Sequence, residues 1–152
     1  MKIKFYFLFI LIISTSFKAA PSNKSEAVEK TNLAILKNVL TYKDFTKYLS
    51  SNNIPAFPMQ VKFRNKIYVL HGPNVDFIEV ALKDQKEDAY FLVETFKRVE
   101  DEKIKIKISY LDRKFRFATV PKNSCCWRVQ SFLARKAGGV KGLKSNFYYS
   151  YN

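Results

Sequence analysis

KIKIKISYLDRKFRF, residues 103–117, decides how this chain folds. Ile104, Ile106 and Ile108 alternate with Lys103, Lys105 and Lys107, and Phe115 and Phe117 flank Arg116 in the same rhythm. Successive side chains on a strand point to opposite faces, so a period of two builds one apolar and one cationic face. Residues 112–114 read as a tight connection between the two runs. A connection that short demands antiparallel neighbours, so the pair opens a meander.

Toward the C-terminus, 122–124 reads as the next turn and 126–133 as the last strand. Alternation there predicts Trp127, Val129 and Leu133 on one side, with Arg128 and Gln130 on the other. Toward the N-terminus, 89–99 is a fork. Ala89, Leu92, Val93, Phe96 and Val99 fit a helix, while the density of β-branched and aromatic residues favours a strand, which we adopt. Residues 77–82 are short and fit a strand or a helical turn or two. Val61 and Phe63, a turn at Asn65 and Lys66, and the apolar run 67–70 read as a hairpin closed by Gly72 and Pro73.

Before the hairpin the period changes. Ala27, Val28, Ile35, Leu36, Val39 and Leu40 recur at near-helical spacing, with Asn23 and Glu26 as a capping pattern. Thr41 with Asp44 repeats that pattern ahead of Phe45, Tyr48 and Leu49, and this second helix stops in 50–53 before Pro55.

Helices first and antiparallel strands after predict an α+β fold, with N-terminal helices packed on a curved antiparallel β-sheet. The helices over 26–49, the meander and the closing Trp127-Arg128-Val129 together resemble the nuclear-transport-factor-2-like families of cone-shaped α+β domains. A cystatin-like arrangement of a helix on a meander is a similarly good resemblance. The former families include isomerases that use an acidic base in a deep pocket, and Asp76 and Glu79 lie in the region the resemblance implies. No fixed spacing ties them to Tyr68, Tyr90 or Tyr110.

Lys2 and Lys4, the apolar run 5–13 and the small residues Ser14, Thr15 and Ser16 form an export signal, with the cut expected after Ser16. An uncleaved anchor is the less favoured alternative, because nine apolar residues at about 1.5 Å rise cover only part of a bilayer core. The expected organisation is a signal peptide at 1–16, a polar linker at 17–25, one α+β domain at 26–136 and a Gly/Lys/Tyr-rich tail at 137–152. Gly138, Gly139 and Gly142 mark a joint before that tail, for which docking back on the sheet is the expected fate. The product is expected to be secreted or periplasmic and no more than peripheral to a membrane.

The formal net charge is +14, and its placement matters more than its size. The last acidic residue is Asp112, so every charged side chain beyond it is Lys or Arg. One sign concentrated on part of a surface attracts polyanions. Lys103, Lys105, Lys107, Arg116 and Arg128 share one sheet face in the register proposed here, and that face is the candidate site for an acidic protein or an anionic surface polymer. Nucleic acid is disfavoured because the aromatic residues point the other way. A homodimer is compatible with the sequence.

His71 is the sole histidine, so any imidazole chemistry must run through it. His71, Asp76 and Glu79 are the candidates for a catalytic alternative, a small pocket enzyme of isomerase or hydratase type. Cys125 and Cys126 are adjacent, and neighbouring Cα atoms about 3.8 Å apart would strain a bridge between them. A redox-active pair is the third reading. No cofactor is expected, and no metal, because two adjacent thiols without a nearby histidine cannot complete a tetrahedral site. A non-enzymatic binding domain is the leading expectation.

Overall fold

The computed structural model describes residues 23–81, 89–99, 102–123, 126–136 and 148–151. The export signal expected at 1–16 lies outside them. Among the described residues, helices α1 (Asn23–Leu40) and α2 (Lys43–Ser51) precede eight strands: β1 (Met59–Phe63), β2 (Lys66–Leu70), β3 (Ile78–Val80), β4 (Phe91–Arg98), β5 (Ile104–Tyr110), β6 (Arg113–Asn123), β7 (Cys126–Lys136) and β8 (Tyr148–Tyr151). The architecture is α+β, and the fork at 89–99 resolves as strand β4 over Phe91–Arg98.

The strands form one open sheet in the order β3-β2-β1-β4-β5-β6-β7-β8. It is mixed rather than purely antiparallel, because β4 lies parallel to β1, with Val61 opposite Phe91 and Lys62 opposite Leu92. The reason is the long return from β3. After two hairpins have carried the chain outward, it comes back to the free side of β1 and re-enters in the same direction. From β4 onward every neighbour is antiparallel.

Two connections are tighter than the sequence suggests. Phe63 pairs with Lys66 and Tyr110 with Arg113, leaving Arg64-Asn65 and Leu111-Asp112 as two-residue loops. Such loops call for positive φ, and Arg64 and Leu111 adopt 56° and 51°. The cap expected at Thr41 is also displaced. Its hydroxyl donates to the Lys37 carbonyl at 2.8 Å, closing α1, and α2 starts after Tyr42 with no side-chain cap. The helix also takes in Asn23, within the stretch expected as linker.

The helices cover one face. Ile35, Leu36, Val39 and Leu40 of α1 and Phe45 and Leu49 of α2 are buried against Ile104, Ile106, Ile108, Phe115, Phe117 and Phe132. Phe45 is the centre of the core, with ring centroids 5.0 Å from Phe115, 5.3 Å from Phe117, 5.7 Å from Phe132 and 6.0 Å from Phe91, all edge-on. That geometry sets positive ring edges against negative ring faces, adding to what burial alone contributes. At the end of α2, Arg113 donates to the Tyr48 hydroxyl and to Asn52 Oδ1, each at 2.8 Å, and fixes the helix to the β5–β6 turn.

One irregularity changes a face assignment. Ala118 pairs with Ser131 and Thr119 with Val129, so Gln130 is an extra residue in β7. A bulge of one residue reverses inside and outside beyond it. Val129 faces the core as expected, but past the bulge Phe132 and Ala134 are buried and Leu133 is not. The expectation of Leu133 beside Trp127 and Val129 is corrected accordingly. Beyond the glycine cluster, Tyr148–Tyr151 returns to the sheet and pairs with Ser131 through Ala134 as its last strand.

Candidate binding face

Ile104, Ile106 and Ile108 are buried under the helices, so Lys105 and Lys107 between them stand on the opposite, outer side of the sheet. Register carries that side across four strands. Lys97 is opposite Lys105, Lys105 opposite Ala118, and Ala118 opposite Ser131. In the next row Thr95, Lys107, Arg116 and Leu133 follow one another.

Two cross-strand pairs are therefore cation against cation: Lys97 with Lys105, and Lys107 with Arg116. Like charges directly opposite one another destabilise a sheet. Elsewhere the fold relieves such pairs. Arg113 and Lys136 are also opposite each other but share Asp112, at 3.9 and 3.6 Å, and Lys114 has Glu94 at 3.8 Å. Among the described residues, Lys97, Lys105, Lys107 and Arg116 have no carboxylate at ion-pairing distance.

A groove of about 430 Å³ runs over this face, lined by Lys105, Lys107, Arg116, Ala118, Ser131 and Leu133. A more open depression of about 550 Å³ adjoins it through the shared Lys105, and adds Lys97, Arg98, Val99 and Lys103. The two make one cationic track from the β4–β5 turn to β7. Of the five residues expected to share a face, Lys105, Lys107 and Arg116 line the groove together. Lys103 lies at the β4–β5 turn, where its carbonyl accepts from the Val99 amide at 2.7 Å. Arg128 is exposed but pairs with Val120, beyond the bulge and off the groove. Lys97 and Leu133 were not among the expected site residues. Recognising Lys97 needed the β4–β5 register, and Leu133 needed the bulge.

The other candidates lie away from this track. His71 is exposed just after β2. Asp76 has a side chain 96% exposed and pairs with Lys37 of α1 at 2.8 Å, a hydrogen bond that holds its carboxyl below the usual range. Glu79 pairs with Lys66 at 3.1 Å. Lys66 also donates to Glu29 at 2.9 Å, and Tyr68 donates to the same carboxylate oxygen at 2.7 Å. The Tyr68 hydrogen bond, followed by that of Lys66, lowers the Glu29 pKa. Burial, with the bond to Glu29, pushes the Tyr68 phenol up to about 12. This network pins the start of α1 to β2. Neither groove contains His71, Asp76 or Glu79.

Cys126 opens β7 with an exposed side chain, while Cys125 lies outside the described residues, and so does the pairing of the two. Among the described residues no group of three His, Cys, Asp or Glu side chains is placed to hold a metal, and no helix is long and apolar enough to cross a membrane. Compared with protein-family models, with curated proteins and with solved structures, the chain finds no match.

Proposed function

We propose that this is a secreted or periplasmic binding domain without catalytic activity, whose outer sheet face takes an acidic partner or anionic surface. The observation that carries this reading is the opposition of Lys107 to Arg116, and of Lys97 to Lys105, with no described carboxylate to relieve either pair. A solvated face needs charge, but it does not need like charges placed opposite one another. An anion laid over them converts that repulsion into attraction.

The placement of Asp76 and Glu79 supports binding over catalysis. Both are exposed surface carboxylates paired with lysines rather than side chains enclosed in a dry pocket. Helices on one face of an open sheet support the nuclear-transport-factor-2-like or cystatin-like kinship, which belongs to the same proposal.

The test is retention on immobilised dextran sulfate across a salt gradient. Exposed charges are screened beyond about 8 Å at physiological ionic strength, so retention is expected to fall steeply as salt rises. It is expected to drop further in a variant carrying Lys105→Gln, Lys107→Gln and Arg116→Gln. Retention indifferent to salt, or equal in that variant, would overturn the assignment.

A further inference from the structure

Resting on the reading above, we propose that the track binds a linear anionic glycan, a polysaccharide with one carboxylate or sulfate per sugar unit, laid across strands β4 to β7. The register supplies the first argument. Neighbouring strands lie about 4.8 Å apart, so a chain crossing β4, β5 and β6 meets a cation on each, Lys97, then Lys105 and Lys107, then Arg116, before it reaches Ser131 and Leu133 on β7. A polymer charged once per ring matches that step. An extended acidic peptide carries same-side carboxylates about 6.6 Å apart and falls out of phase.

The floor supplies the second. Between the cations and Leu133 the groove is paved by Ala118 and Ser131, which leaves room for a ring close to the backbone. The C–H face of a sugar can lie on Ala118 and Leu133 while its hydroxyls reach Ser131 Oγ. Arg116 offers the planar fork that pairs with a carboxylate or sulfate through two oxygens.

The experiment titrates the full chain with polyuronate oligosaccharides of increasing length, from the dimer upward. Affinity is expected to rise to roughly four units, the span of about 14 Å from β4 to β7, and then to level off. Lys97→Gln and Lys107→Gln should each weaken the longer oligosaccharides roughly fivefold. A neutral glucan series should not bind. Poly-glutamate, oligo-deoxythymidylate or phosphatidylglycerol vesicles binding more tightly at equal charge would overturn the glycan while leaving the cationic face as the site. Failure of every polyanion would overturn both.

Discussion

Lys107 of β5 stands directly opposite Arg116 of β6 on the sheet face turned away from the helices. The neighbouring strand pair repeats the arrangement with Lys97 and Lys105. The same fold places Asp112 between Arg113 and Lys136 and Glu94 beside Lys114. Among the described residues, relief is thus present at one end of the β5–β6–β7 meander and missing over the groove.

Relieving the outer pair from β4 should stabilise the protein. Lys97→Glu sets a carboxylate opposite Lys105, and chemical denaturation should show a gain of about 0.2–1 kcal/mol with an unchanged slope. A loss of stability would mean that the two lysines do not repel each other.

Phe45 should be the costliest single residue in the helical layer. It meets four phenylalanines of the sheet edge-on, so Phe45→Ala removes both apolar burial and those ring contacts. The expected cost is about 3–5 kcal/mol by urea unfolding. A cost below about 1 kcal/mol would move the centre of the core elsewhere.

Leu111 is 75% exposed and holds a φ of 51° in a two-residue loop. Asparagine tolerates that conformation far better than leucine. Leu111→Asn should raise stability by about 0.5–1 kcal/mol in thermal unfolding. Polyanion binding should not change, because the loop is not part of the groove.

Acid should loosen the attachment of α1 to β2. Glu29 has its folded pKa lowered from an ordinary 4.5, and Asp76 from 3.8. For such groups the stabilisation is fully present above the ordinary value and disappears as pH falls through the folded one. Stability should therefore decline below about pH 4.5, and Glu29→Gln should flatten that decline. Tyr68 acts at the other end. Its raised pKa means stability falls as pH climbs from 10 toward about 12, and Tyr68→Phe should remove that loss. Unfolding midpoints measured against pH in the three proteins check both limbs.

Much of the fold could be read in the alternation of apolar and charged residues. Isoleucines spaced by two fixed the β5 faces, and the apolar spacing from Ala27 to Leu49 fixed the helices. What escaped depended on long-range pairing or a one-residue insertion. The parallel join of Val61 with Phe91 links residues far apart in sequence, and no local period reports it. Gln130 reversed Leu133 because alternation extrapolated through a bulge gives the wrong face. At the site, Lys105, Lys107 and Arg116 were legible as a cluster. Lys97 was not, because 89–99 carried helical and strand periods together and its partner was unknown. Thr41 looked like a cap for α2 until its hydroxyl proved to close α1 instead.

The most direct test is Lys107→Glu with two readouts on one preparation, thermal unfolding and retention on dextran sulfate. A carboxylate opposite Arg116 should raise the unfolding midpoint and lower the salt needed for elution, since the repulsion that costs stability is what recruits the anion. A variant that is more stable and binds as well as before, or less stable and binds less, would contradict the account.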